Sequence, residues 1–212
     1  MKKDSAILLE LHYLPCVQYL SKLINYPKIV IEQHEHYIKG GYRNRAYIAA
    51  ANGPLALSVP LLKGKNQQQD IRSVQIAYTS HWQSEHWASI RSAYGNAPFF
   101  AHYAPELAPF YKKKYLYLFD FNMELLQWIL KKLRLDIHID VTSEYETRPN
   151  SETADWRNGI HPKAHKQRID DVFTPKQYVQ VFADKHGFLP NLSILDLLFC
   201  CGPESILILE DC

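Results

Sequence analysis

The sequence predicts an α/β fold, and two observations near its start support that prediction. Ala6–Leu11 is a short, continuous apolar run, which is typical of a strand covered on both faces. Cys16–Ile24 then places apolar residues at helical spacing, and Lys28–Gln33 has the character of a second strand. Strand, helix and strand in this order are the opening of a βαβ unit, whose two strands run parallel.

Later segments alternate in type, so we expect a mixed central sheet with helices packed on it. Residues 45–61 contain two runs of β character around Asn52-Gly53-Pro54, which indicates a hairpin. Apolar residues return at helical spacing in Phe121–Leu135, and the segment from Asn191 to Gly202 reads as a capped helix with a clear stop.

A polar segment interrupts this pattern. Residues 142–171 contain few aliphatic residues, many charges and no period. Loops of this length in a compact domain are usually functional or mobile. We therefore expect a long loop or partly disordered insert within one domain that spans residues 1–212.

Composition excludes several classes of function. Apolar residues make up 47 % of the 212 residues and charged residues 22 %, so a large core is possible. The net charge of +2 and the lack of a basic stripe argue against a nucleic-acid-binding protein. No segment approaches the roughly 20 apolar residues of a membrane span. Four cysteines without CxxC spacing fit reduced thiols, so we expect a cytoplasmic protein.

The segment "SHWQSEHWASIRSAYGNAPFF" (residues 80–100) raises the question of a metal site or a reaction centre. His81 and His86 are five residues apart, so a regular helix points them in different directions and they do not share a metal ion. Trp82 and His86 are four apart and should touch. His86 is a candidate general base near neutral pH. The alternative is a half-buried His whose ring nitrogens are satisfied by backbone groups, with Trp82 as its packing partner.

The segment "YRNRAY" (residues 42–47) is a candidate anion site. In an extended chain Arg43 and Arg45 point to one face and Asn44 to the other. Two guanidiniums about 7 Å apart could hold a diphosphate or a carboxylate. The alternative is a charged sheet edge, or ion pairs from the two arginines to Glu32 and Glu35.

Two further segments supply candidates. Tyr13 follows the first strand, where open α/β sheets gather their ligands, so its ring is expected to face substrate. His12 would be half of a nucleotidylyltransferase-like HxGH motif, but the Gly and the second His are absent. Asp196, on an otherwise apolar helix, could orient His86 or bind an arginine, and Asn191 is most simply a helix cap. The sequence contains no GxSxG, Walker or GxGxxG motif, and it leaves the cofactor unknown.

Four segments in this order, "YLPCVQYLSKL", "YRNRAYIAAANGPLALSVPL", "HWQSEHWASIRSAYGNAPFF" and "FLPNLSILDLLFCCGPES", resemble the WbqC-like family of bacterial proteins. Members are often encoded among genes for surface polysaccharide. The resemblance implies a transferase that modifies an amino sugar of O-antigen or a related glycan. Many members carry a "YLSG"-type segment before the last helix, and residues 142–171 stand in its place here.

The main hypothesis is a transferase that acts on a small-molecule or sugar-nucleotide substrate, without a metal. Its catalytic residues would be His86 and Asp196. Its substrate-binding residues would be Tyr13, Arg43, Asn44, Arg45, Trp82, Trp87, Tyr94 and Asn191. The alternative hypothesis is a non-catalytic protein that binds a glycan, a peptide or a partner in the same aromatic cleft.

Overall fold

The computed structural model describes residues 5–62 and 69–212 and confirms the α/β class. Four strands form a parallel sheet in the order β5-β2-β1-β6. They are β1 (Ala6–Leu9), β2 (Ile29–Ile31), β5 (Ile139–Val141) and β6 (Thr153–Asp155). The βαβ unit predicted at the start of the chain is present, since β1 and β2 pair in parallel on either side of α1 (Val17–Asn25).

The predicted hairpin is also present, but it lies outside the central sheet. Strands β3 (Arg45–Ala50) and β4 (Gly53–Ser58) pair antiparallel as a separate two-stranded sheet. Gly53 supplies the left-handed backbone of the turn, with φ of 102°. The sequence predicted a mixed central sheet. The four described strands of the central sheet are all parallel, and the antiparallel pair is the separate hairpin.

The remaining helices follow the hairpin. They are α2 (Trp82–Tyr94), α3 (Phe100–Leu107), α4 (Leu118–Lys132), α5 (Ala183–His186), α6 (Ile194–Cys201) and α7 (Ser205–Glu210). The predicted helix at Phe121–Leu135 is thus observed three residues earlier. None of the helices in the described ranges is long and apolar enough to cross a membrane.

Alternation along the short parallel strands determines which side chains enter the core. Ile7 and Leu9 of β1 lie beside Ile29 and Ile31 of β2 in the main apolar cluster, and all four are fully buried. Burying an aliphatic side chain of this size stabilises the fold by about 2 kcal/mol. The apolar runs that predicted the two strands therefore also fix the position of the sheet against α1.

The segment 142–171 is mostly irregular, as expected, but it also contributes to the sheet. Its strand β6 pairs in parallel with β1. Lys22 of α1 donates to Asp170 at 2.6 Å and lies 4.4 Å from the ring of Trp156. The sequence predicts a loop here because the three-residue strand β6 contains no aliphatic run.

Candidate functional site

Buried polar side chains collect at one edge of the parallel sheet. Because the four strands are parallel, their carboxyl ends meet at this edge, where α/β proteins bind ligands. We call the residues that follow the strands there the carboxyl-edge cluster. They are Glu10 and His12 after β1, Glu32 and Glu35 after β2, Thr142 after β5, and Arg157 and Asn158 after β6, together with Arg43 from the segment before β3.

Arg43 occupies the centre of this cluster and is 1 % exposed. Its Nε and NH2 donate to the two carboxylate oxygens of Glu35 at 2.7 and 2.5 Å. The same NH2 group donates to Asn158 Oδ1 at 2.9 Å, and NH1 lies 3.8 Å from a carboxylate oxygen of Glu10. The side chain of Asn122 on α4 fixes the backbone by donating to the Arg43 carbonyl at 2.7 Å. This guanidinium is therefore shared between two buried carboxylates.

Glu10 and His12 form a second buried pair beside Arg43. Glu10 accepts from the backbone N–H of Asn158 at 2.8 Å and lies 3.0 Å from His12 Nε2. Burial would raise the pKa of Glu10, but Arg43, the His12 hydrogen bond and the Asn158 N–H together lower it to about 2. Glu10 is therefore a buried carboxylate that stays ionised at neutral pH.

A second arginine closes the outer part of the cluster. Arg157 binds Asp155 through Nε at 3.0 Å and NH2 at 2.6 Å, and its NH1 donates to the fully buried Glu32 at 3.0 Å. Glu32 also accepts from the hydroxyl of Thr142 at 2.7 Å. These contacts join the ends of β2, β5 and β6.

The loops that form the cluster contain unfavourable backbone conformations. Leu14, two residues after His12, has φ of 40°, and Asn158 has φ of 58°. Left-handed conformations in such residues cost on the order of 1–3 kcal/mol and tend to occur at functional sites. Asn158 is also exposed, so the Arg43 guanidinium lies one side chain beneath the surface.

His86, the predicted base, lies outside this cluster. Its Nδ1 is 3.0 Å from the hydroxyl of Tyr13, which is also bonded to Tyr111 at 2.9 Å. Trp82 contacts His86 as expected, with ring centroids 5.1 Å apart. His86 is 5 % exposed and its Nδ1 is held by a buried tyrosine, which supports a structural role, and its role as a base stays a prediction.

Burial lowers the pKa of His86 to about 4, although the Ser58 backbone hydrogen bond opposes this shift. In the unfolded chain a His titrates near about 6.5, so between these pH values the unfolded state binds more protons. Stability should therefore fall by about 3 kcal/mol as the pH drops from 6.5 to 4. We expect His86→Gln to flatten this dependence, measured by urea unfolding at several pH values. Exposed His138→Gln is the control, and an unchanged pH profile in His86→Gln would contradict the assignment.

Asp196, the predicted partner of His86, lies in a third cluster. It is fully buried on α6 and accepts from the hydroxyls of Tyr94 at 2.8 Å and Tyr178 at 2.7 Å and from Gln180 at 2.8 Å. Burial raises its pKa, which these three donors oppose. The predicted His86–Asp196 pair is not formed, and Asp196 holds the segment before α6 in place.

The other predicted residues also have separate partners. Arg45 donates to the hydroxyl of Ser58 at 3.0 Å, so it does not share the contacts of Arg43. The amide of Asn44 binds Tyr37 and the Val59 carbonyl, and the ring of Trp87 stacks on Tyr111 and Phe100. Asn191 caps α1 by accepting from the Gln18 N–H at 2.9 Å, while α6 is capped by Ser193. Of the predicted site residues, Arg43 is the one in the carboxyl-edge cluster.

One surface cavity of the described residues lies apart from the predicted aromatic cleft. A cavity of about 550 Å³ lies between the hairpin turn, α2 and Phe182, and none of the predicted site residues lines it. In residues 5–62 and 69–212, no three His, Cys, Asp or Glu side chains are grouped so that they could hold a metal ion.

Comparison with known proteins identifies the family. The model of the WbqC-like protein family matches residues 11–169, about three quarters of the chain. The chain belongs to the WbqC-like protein family. The match includes His12, Arg43, Asn158 and most of the 142–171 segment, and it ends before Asp196.

Individual relatives of this WbqC-like protein add little about its activity. The chain is 26 % identical to "Uncharacterized protein Rv1507c" of Mycobacterium tuberculosis, over 97 % of this chain and 96 % of that protein. No solved structure matches the chain significantly.

The sequence reasoning missed most of the carboxyl-edge cluster. Glu10 and Glu32 directly follow the apolar residues of β1 and β2, which was a usable signal, because polar residues after parallel strands gather at one edge. His12 was considered as half of an absent motif, and Glu35 as a structural partner of the arginines. Asn158 had no signal of its own, since it follows a strand that the sequence does not reveal.

Proposed function

We propose that this protein is a cytoplasmic group transferase that modifies an amino sugar or sugar nucleotide of a bacterial surface polysaccharide. We further propose that it binds this substrate at the carboxyl-edge cluster. Membership of the WbqC-like family supports the biological setting, because the resemblance to that family implies a role in surface-polysaccharide synthesis.

The observation that carries the proposal is Arg43, a buried guanidinium at the carboxyl edge of a parallel sheet whose outer partner is the exposed Asn158. An ion pair with a purely structural role need not lie at the edge of the sheet where ligands bind. A buried ion pair also often adds little net stability, so stability alone does not explain this one. The same edge holds an ionised buried carboxylate and a buried imidazole. Such groups occur together where a polar substrate is oriented and its protons are moved.

Access to the cluster requires one local change. The Asn158 side chain covers Arg43 NH2 with its own amide oxygen, and its left-handed backbone is already unfavourable. In our proposal a substrate oxygen replaces the Asn158 oxygen on Arg43. The displaced Asn158 amide then binds the substrate at the exposed side of the cluster, so that Arg43 and Asn158 hold it together.

A non-catalytic binding protein is the second candidate. It is favoured by the fact that Arg43, Glu35, Arg157 and Glu32 already hold one another in ion pairs. Such a network also suits a site that recognises a ligand without changing it.

Metabolite analysis of a deletion strain separates the two functions. We expect the strain to accumulate an unmodified sugar nucleotide, detected by mass spectrometry, because the acceptor of the transferred group is no longer consumed. A plasmid with the intact gene should remove the accumulated compound. Identical sugar-nucleotide pools in the deletion and parent strains would contradict the transferase and favour the binding protein.

A further inference from the structure

We propose that Nδ1 of His12 is the proton acceptor of this site and that it takes a proton from a hydroxyl or amino group of the substrate. Glu10 is then the positioning residue that holds the ring. This inference rests on the proposed function, and it moves the acid–base role from His86 to a different His in a different part of the fold.

The first argument is the fixed orientation of the imidazole. His12 Nε2 lies 3.0 Å from a carboxylate oxygen of Glu10, and the other oxygen of Glu10 accepts from the Asn158 N–H at 2.8 Å. Because this carboxylate is ionised, it accepts a hydrogen bond, so the proton of the neutral ring sits on Nε2. The lone pair of the ring is therefore on Nδ1. A carboxylate behind an imidazole fixes the tautomer and stabilises the imidazolium that forms after proton transfer.

The second argument is the unpartnered nitrogen. His12 is fully buried, and its Nδ1 has no hydrogen-bond partner among the described residues. Most buried polar side-chain atoms do have one, and an exception calls for an explanation such as a catalytic role or a missing ligand. His86 provides the internal comparison, since Nδ1 of that buried ring lies 3.0 Å from the hydroxyl of Tyr13.

The charge of the surroundings defines the chemistry of the substrate. Two carboxylates, Glu10 and Glu35, share the single guanidinium of Arg43, so this part of the cluster carries an excess of one negative charge. A phosphate or carboxylate is therefore repelled from the position beside His12. An atom that donates a hydrogen bond, such as a sugar hydroxyl or amine, satisfies Nδ1 and fits this charge.

The proton transfer is balanced within the site. The O–H or N–H bond of the substrate breaks, its proton moves to Nδ1, and the electron pair of that bond stays on the substrate atom. His12 becomes an imidazolium whose Nε2–H remains bonded to the Glu10 carboxylate. The substrate atom has then gained the nucleophilic character that a group transfer requires.

The groups that face His12 keep it neutral before the reaction. Burial lowers the pKa of His12, and Arg43 adds to this effect, while the hydrogen bond and the charge of Glu10 oppose it. The rings of Tyr19 and Tyr42 lie against the imidazole, with centroids 4.5 and 5.2 Å away. A neutral imidazole has the free lone pair that a base needs.

The first test uses the unmodified full chain. Nitrogen-15 NMR of the histidine rings at pH 7 should show His12 protonated on Nε2 and unprotonated on Nδ1. Glu10→Gln should lower the pKa of His12 further, because the carboxylate that favours the imidazolium is gone. A proton on Nδ1 in the intact chain would overturn the proposal.

The second test measures function in the deletion strain described above. His12→Gln and Glu10→Gln should each reduce the removal of the accumulated sugar nucleotide at least tenfold, whereas exposed His138→Gln should act like the intact gene. Circular dichroism of the purified variants checks that they fold. Full activity of His12→Gln would refute the inference. If the deletion changes no sugar-nucleotide pool, the proposed function fails, and the ring protonation measured by NMR still decides the state of His12.

Discussion

Replacing Arg43 by Met is expected to lower the free energy of unfolding by about 3–5 kcal/mol at pH 7. The substitution keeps much of the side-chain volume but removes the partner of two buried carboxylates. Glu35 is 4 % exposed and Glu10 is 2 % exposed, so water does not replace the guanidinium. Removing one member of a buried ion pair costs more than the pair contributes, because the remaining charge stays buried.

Urea unfolding of matched variants checks this prediction. Arg43→Lys keeps a positive charge but loses the two parallel hydrogen bonds to Glu35, so its stability should lie between the intact protein and Arg43→Met. The double variant Arg43→Met with Glu35→Gln should recover part of the loss, because one uncompensated charge is gone. A loss below about 1 kcal/mol in Arg43→Met, which is typical of exposed pairs, would contradict the buried network.

The parts of the fold that the sequence predicted are those with a local signal. The strand residues Ala6–Leu9 and Ile29–Ile31 form apolar runs that become buried, and the helix between them carries the chain back to the same end of the sheet, so the two strands pair in parallel. The hairpin is encoded by its turn residues. By contrast, β6 consists of Thr153, Ala154 and Asp155, whose β structure depends on pairing with β1 far away in sequence.

The candidate site was hard to predict for a related reason. The arginine pair, the His-Trp pairs and Asp196 are prominent in sequence, but burial and hydrogen bonding separate them in the fold. His12 and His86 both lie beside aromatic rings in buried surroundings. The two rings differ in the hydrogen-bond partner of Nδ1. Such a partner can lie far away in sequence, as Tyr13 does from His86, so sequence patterns do not reveal it. The role of Arg43 in substrate binding stays a prediction, while its ion pair to Glu35, the structural alternative, is observed.

Replacing Asn158 by Gly is expected to abolish function with little loss of stability. The substitution keeps the backbone N–H that binds Glu10 and suits the left-handed φ of 58°. It removes the side-chain amide that, in our account, leaves Arg43 NH2 and binds the substrate at the exposed side of the cluster. Arg134→Gly is the matched control, since Arg134 is also exposed, has φ of 55° and lies just past the end of α4.

The most direct measurement of the central claim is the sugar-nucleotide pool of the deletion strain carrying either glycine variant, with thermal unfolding of both purified proteins. If the carboxyl-edge cluster is the functional site, Asn158→Gly leaves the accumulated compound at least tenfold above the level of the complemented strain, and Arg134→Gly clears it. Both proteins should unfold within a few degrees of the intact chain. Complete clearance by a folded Asn158→Gly variant would contradict the assignment of the site to this edge of the sheet.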